Sequence, residues 1–330
     1  MKEYKDLPFD VNYVVDIELN GIKKEKAAKG YNIKCPFCGR DHKLNVDGSL
    51  ELCREYEKKG QVKAIYFQEN TGFCGAVNAG INACHTPYVL LLNNDTEVKE
   101  DFVLCMERFM DTHKRAFSAS AKMLSLHEPD VIDDCGDLYC ALGWAYGIGK
   151  GKSRLRYEKD MKIFAACGGA AIYRMEIFRK IGTFDENHFA YLEDIDVGYR
   201  AQIHGYRNYF CHDAVVYHAG SGSSGSRYNE FKINLSAKNS IYLIYKNMPF
   251  LQIVLNLPLL IVGFLIKTLF FVKKGYGNIY VKGLMKGMAL CRQKEGREKK
   301  VGFEWKNLLS YVLIQLQLWW NLVRRLYEFV

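Results

Sequence analysis

The chain has 330 residues, 49% hydrophobic and 25% charged, with a formal net charge of +9. That apolar content fills one large core or two smaller ones and excludes a disordered polymer. Eleven cysteines are scattered without a disulfide-like framework and no signal peptide opens the chain. A reducing cytosolic setting is therefore expected, and a disulfide-stapled secreted fold is excluded.

Residues 11–18, Val-Asn-Tyr-Val-Val-Asp-Ile-Glu, cluster apolar groups well enough to form a strand. After them, Cys35-Pro36-Phe37-Cys38-Gly39 is a Cys-x-x-Cys knuckle suited to a structural Zn2+, with His42 or Cys53 available to complete the site. A second Cys-x-x-Cys is absent, and two reduced, solvent-accessible thiols are the alternative. Leu90-Leu91-Leu92 then runs straight into Asn93-Asn94-Asp95-Thr96-Glu97. A short apolar run bounded by turn residues predicts a central parallel strand, and ligands collect at the carboxyl ends of such strands. Asp95 is thereby expected in a cleft, where a hard oxygen ligand suits Mg2+ or Mn2+; a plain Asn/Asp turn is the alternative.

Glu193, Asp194 and Asp196 follow Phe184-Asp185-Glu186, where the pattern changes toward a helix continuing to His204. Crowded carboxylates raise one another's pKa and divide acid from base; simple N-terminal helix charge is the competing account. Val215-Val216-Tyr217-His218 reads as another apolar strand, and Gly220-Ser221-Gly222-Ser223-Ser224-Gly225-Ser226 follows it. Such a loop can bring backbone N–H groups against phosphate oxygens, and Arg227 could close on a diphosphate. A flexible linker is the alternative.

Four blocks, taken in order, resemble family 2 glycosyltransferases of the GT-A fold, with the best likeness to rhamnosyltransferase-like members. They are Glu69 to Ile81, Leu90 to Glu97, Gly168-Gly169 through Arg200, and Val215 to Asn229, covering roughly residues 47–247. The resemblance implies an α/β, Rossmann-like catalytic domain and inverting, metal-dependent transfer of a hexose or deoxyhexose, rhamnose being the candidate. The donor is a nucleotide-diphosphate sugar; the acceptor is a cell-surface polysaccharide precursor or a polyprenyl-linked saccharide. It implies Asn70, Gly72, Asn78, Asn93, Asp95 and Arg227 on the donor side and Gly168 and Gly169 in the acceptor-side loop. Asp95 and His218 are the implied metal ligands, Asp194 the general base and Glu193 beside it a positioning or acceptor-binding group. Asp196 is expected to serve the helix's first turn. No Gln-x-x-Arg-Trp element is present, so a single addition per encounter is expected.

Residues 1–46 depart from the family. Ile33 to His42 instead resembles half of a zinc ribbon of the phage-primase type, and only Asp47 to Glu51 looks like the turn and helix that follow the family's second strand. Residues 11–18 could fill the missing first-strand position, making Asp16 or Asp47 the candidate base-binding carboxylate. The alternatives are a zinc-ribbon nucleic-acid-binding protein and an inactive glycosyltransferase lacking its nucleotide pocket; nucleic acid is otherwise not an expected partner.

Residues 248–330 form the third expected region. Lys246 to Val330 carries 14 Lys/Arg and 4 Asp/Glu, so the basic surplus of the chain lies there. Phe250 to Val272 is nearly all apolar, broken by Gln252, Asn256, Pro258 and Lys267, and is about long enough to cross a bilayer. The breaks favour an interfacial or re-entrant helix. Trp305 to Val330, with Trp319, Trp320 and Arg324-Arg325, suits a headgroup layer, and Lys294, Arg297, Lys299 and Lys300 would attract anionic lipid. A helical membrane-associating tail at the cytoplasmic face of the cell membrane is expected, against the alternative of a soluble helical subdomain.

Overall fold

The computed structural model describes residues 69–219 and 229–328 throughout, residues 54, 56–60 and 63–67 ahead of them, and four strands between residues 13 and 42 as backbone. The first strand, β1 (Tyr13–Ile17), is where residues 11–18 were expected to form one. It pairs in parallel with β5 (Lys63–Phe67), placing Asp16 in register with Tyr66. A parallel pair needs a long crossover connection. Here that crossover includes a three-stranded antiparallel sheet of β2 (Lys24–Ala27), β3 (Gly30–Lys34) and β4 (Asp41–His42). The Cys-x-x-Cys knuckle falls between the paired Lys34 and Asp41. Cys35, Cys38, Asp47 and Cys53 lie outside the described residues, and His42 is described as backbone only.

Next come α1 (Gly72–Ala83), β6 (Tyr88–Leu92), β7 (Thr96–Val98), α2 (Phe102–Thr112) and β8 (Ala116–Ser125). Three short strands follow, β9 (Ile132–Asp134), β10 (Asp137–Cys140) and β11 (Trp144–Gly147). The domain continues through β12 (Met161–Ile163), β13 (Ala170–Arg174), α3 (Met175–Ile181), α4 (Glu193–Ile203) and β14 (Arg207–His218). A seven-stranded mixed sheet runs β12-β14-β8-β13-β6, with β7 on β14 and β9 on β8. β14 and β8 are parallel, while β13 is antiparallel to both its neighbours. Buried on both faces, β8 is the centre of the core; Phe117, Phe178, Tyr173 and Phe184 pack edge to face or tilted beside it.

The leucine run does form a strand, but not the central parallel one expected. β6 ends the path of this sheet, and among the described residues its ladder partner is the antiparallel β13. Five apolar residues report burial, not the direction of the neighbour, and Leu92 at the tip is in fact exposed.

Five helices complete the chain: α5 (Glu230–Asn247), α6 (Phe250–Lys273), α7 (Gly277–Arg292), α8 (Lys294–Glu298) and α9 (Leu308–Glu328). They are docked on the sheet domain rather than appended to it. Leu260, Tyr311, Ile314 and Leu318 share one hydrophobic cluster with Phe164, Tyr173 and Tyr199. The Asn321 amide donates to Tyr139 O at 2.9 Å, and Trp144 Nε1 donates to Gly263 O at 3.1 Å. On α6 the buried residues are Gln252, Asn256, Leu260 and Gly263, one stripe at helical spacing. Asn256 and Gln315 exchange amide hydrogen bonds at 2.8 and 2.9 Å across α6 and α9. Gln252 and Asn256 thus face the protein with Leu260, while Leu251, Leu255, Leu257, Ile261, Leu265, Ile266 and Leu269 face outward.

Candidate active site

Short strand β7 brings Asp95 and His218, the expected metal ligands, together. It pairs antiparallel with the end of β14, setting Thr96 opposite His218, and Ala219 N donates to Asp95 O at 2.9 Å. His218 Nε2 lies 3.3 Å from Asp95 Oδ1, while its Nδ1 meets Asp133 Oδ2 at 2.7 Å. Asp133, on β9, is also paired with Lys150. Its hydrogen bond to His218 is the main cause holding the imidazole's pKa above the ordinary value, and the same bond pulls the Asp133 carboxyl down to about 2. A carboxylate oxygen and a ring nitrogen at converging strand ends, with the second ring nitrogen fixed by an acid, is a donor set suited to a divalent cation. Sequence reasoning missed Asp133, whose only signal was the acidic run Asp133-Asp134-Cys135-Gly136-Asp137.

The second half of the site is reached through backbone. Asn93 N donates to Gly169 O at 2.9 Å, and Gly168 N donates to Asp194 Oδ2 at 3.2 Å, so the Asp95 turn, the glycine pair and the acid of α4 form one chain of contacts. Gly168 leaves room for this contact: a Cβ there would stand 2.8 Å from Phe73 and 2.9 Å from Asp194 Oδ1, so one of those side chains would have to move. Glu193 is 6% exposed and its Oε2 has no partner; Asp194 Oδ1 is likewise buried and unpartnered. Burial, with the charges of Asp137 and Asp196 adding to it, pushes Glu193 up to about 7; burial and then the charge of Glu193 push Asp194 well above its usual range. Asp196 lies in the first turn of α4, as expected, but its charge is met by side chains rather than by the helix end alone. It is fully buried, receiving Arg200 Nη2 at 2.9 Å and Lys246 Nζ at 2.9 Å, with Asn247 at 2.8 Å on its other oxygen. Those cations hold its carboxyl far below the usual range despite burial, so Asp196 is a structural ion-pair centre.

The approach to α4 is strained. Phe189, Tyr191 and Leu192 all have φ between 66° and 70°, a region that costs non-glycine residues of order 1 kcal/mol or more each. Asn239 on α5, fully buried, holds this turn by donating to His188 O, Ala190 O and Tyr191 O at 3.0, 2.8 and 2.7 Å. No sequence signal distinguished it from other helical asparagines.

On the donor side, Asn70 Oδ1 accepts from Gly72 N at 2.9 Å and so turns the chain into α1. Asn78, expected at the donor, is instead 6% exposed, with its amide engaged by Phe184 N, Phe184 O and Glu186 Oε1 between 2.9 and 3.0 Å. It clamps α1 to the loop after α3. Arg227 and the loop Gly220 to Ser226 lie outside the described residues.

Residues 45–182 match the family described as glycosyl transferase family 2. Over 190 residues the chain is 28% identical to rhamnosyltransferase WbbL of Escherichia coli (strain K12), covering 53% of this chain and 69% of that protein. Among solved structures, GalNAc-T7 with UDP, GalNAc and Mn2+ aligns at 14% identity and a TM-score of 0.46, over 62% of this chain and 40% of that one. The mannosyltransferase PcManGT from Pyrobaculum calidifontis, in complex with GDP-Man and Mn2+, aligns at 13% and 0.41, over 82% and 74%. The 1–349 portion of S. aureus TarS aligns at 15% and 0.44, over 82% and 77%.

Proposed function

We propose that the family 2 glycosyltransferase domain of this chain performs inverting, metal-dependent transfer of a hexose or deoxyhexose from a nucleotide-diphosphate sugar to a saccharide or polyprenyl-linked acceptor. The observation that carries this reading is the placement of Asp95 beside His218, joined through Asn93, Gly169 and Gly168 to Asp194, whose Oδ1 is buried without a partner. Asp95 Oδ1 and His218 Nε2 would hold Mg2+ or Mn2+, with Asp133 fixing the imidazole so that Nε2 is the ligating atom. Such a cation, when bound, neutralises the diphosphate as it departs. Asp194 takes the proton of the acceptor hydroxyl, whose oxygen attacks the anomeric carbon from the face opposite the diphosphate; one base and one displacement invert that carbon. Glu193 keeps the pocket around Asp194 acidic and its base strong.

The fold supports a membrane-surface location. Outward residues of α6, including Leu251, Leu255, Ile261, Leu265 and Leu269, are each more than half exposed, and Leu309, Leu316 and Trp320 of α9 match them. By length and composition α6 is able to cross a membrane; its inward polar residues, Gln252 bonded to Tyr199 and Asn256 bonded to Gln315, favour lying in the interface instead. Rhamnose as the sugar, and Asp16 or Asp47 as the base-binding carboxylate, belong to the same proposal.

Calorimetric titration of the full chain with nucleoside diphosphates and Mn2+ tests the site. The parent should bind, with poor discrimination among uridine, thymidine and guanosine diphosphates, and Asp95→Ala should lose the metal-dependent part. Equal binding by Asp95→Ala would overturn the assignment.

A further inference from the structure

The strongest unassigned feature of the cleft is Asp137. It opens β10, and its backbone is fixed from both sides: Asp137 N donates to Ala165 O at 2.9 Å, and Asp137 O accepts from Phe164 N at 2.9 Å and Ala165 N at 3.2 Å. This places the carboxylate next to α4. One ligand atom each from Asp137, Cys167 and Asp194 all lie within 4.8 Å of one another.

The geometry points to Asp137 as a positioning residue that sets the basicity of Asp194, an inference that rests on Asp194 being the general base. Gly168 N already occupies Asp194 Oδ2, and Oδ1 is buried without a partner, so the free oxygen's affinity for a proton is governed by the charges around it. Those facing it are Glu193 on its own helix, Asp137 on β10, Asp134 on β9, Cys167 ahead of β13, Tyr173 on β13 and Cys74 on α1. None is a cation. Burial, followed by the charge of Asp194, pushes Asp137 up to about 7, so the two acids titrate as a pair. During transfer the acceptor O–H proton passes to Asp194 Oδ1, the acceptor oxygen bonds to the anomeric carbon, and the carbon–oxygen bond to the diphosphate breaks with its electron pair leaving on the phosphate. Protonating Asp194 relieves its repulsion with Asp137, which favours the transfer.

The test is the pH dependence of kcat/KM for acceptor in the full chain, read by nucleoside diphosphate release. Asp137→Asn should move the acidic limb down by about one pH unit or more, the scale of two strongly interacting sites, and lower the plateau about three- to tenfold through a weaker base. Asp137→Glu should restore the limb, Cys167→Ala should leave it in place, and donor KM should hardly change. A limb unmoved in Asp137→Asn overturns the inference. Asp194→Asn separates this from failure of the base assignment: turnover should fall by about two to four orders of magnitude, and a variant that keeps turnover would sink the base itself.

Discussion

His188 shows how one side chain can tie the active-site turn to solvent conditions. It is fully buried, stacks obliquely on Tyr242 with ring centroids 5.3 Å apart, and neither ring nitrogen has a hydrogen-bond partner; Asp196 Oδ1 stands 3.9 Å away. Burial is the main cause depressing its pKa from 6.5 to about 4. The fold therefore prefers neutral His188, so its contribution is fully present above about 6.5 and is lost as pH falls toward about 4. Each unit in that window costs up to about 1.4 kcal/mol. In His188→Phe, which keeps an aromatic ring against Tyr242, the urea midpoint should vary less between pH 4.5 and 7 than in the parent. An unchanged pH dependence would show that another group governs the window. At this scale the sequence exposed the residues with a motif, Asp95, Asp194 and His218, but not Asp133, Asn239 or Lys246. Their roles depend on partners 85, 48 to 51 and 50 to 61 positions away.

Between elements, the support of the strained turn passes through α5, which is itself held by α7. Gly283 and Gly287 press α7 onto α5 so closely that a Cβ would stand 2.6 Å from Asn234 O and 2.5 Å from Lys238 O. Backbone cannot yield as a flexible side chain can. Gly287→Val should destabilise the protein by about 1–3 kcal/mol, the usual cost of overpacking, whereas Gly302→Ala, with nothing within 4 Å, should be tolerated. Denaturant midpoints measure both; a tolerated valine at Gly287 would mean that the helices pack further apart. The 3.6-residue apolar pattern announced these helices, yet which faces met was not written in it, because apolar residues lie on every side of α6.

For the whole molecule, the sheet domain and the helical region share a core, so point replacements test the membrane proposal better than truncation at residue 248, which would strip Leu260, Ile314 and Leu318 from that core. Leu255, Ile261, Leu265 and Leu269 are outward and 51% to 60% exposed. Replacing all four with Gln should shift the full chain from anionic vesicles to the soluble fraction in a flotation assay while leaving nucleoside diphosphate binding intact. Burying each such side chain in lipid is worth about 1 kcal/mol or more, so four losses should be decisive. Continued vesicle binding would assign the surface to another partner.

The sequence by itself determined which side chains stand at the strand ends, the helix carrying Glu193 and Asp194, a strand within residues 11–18 and the apolar tail. Each is encoded locally, by side-chain type and spacing along a short stretch. Only the tertiary structure decided that the leucine strand pairs antiparallel with β13, that Asn78 and Asp196 are held by the protein itself, and that Gln252 and Asn256 face inward. Strand direction, hydrogen-bond partners and buried faces are set by residues distant in the chain. Local pattern fixes which groups can bond, and packing fixes which bonds they make.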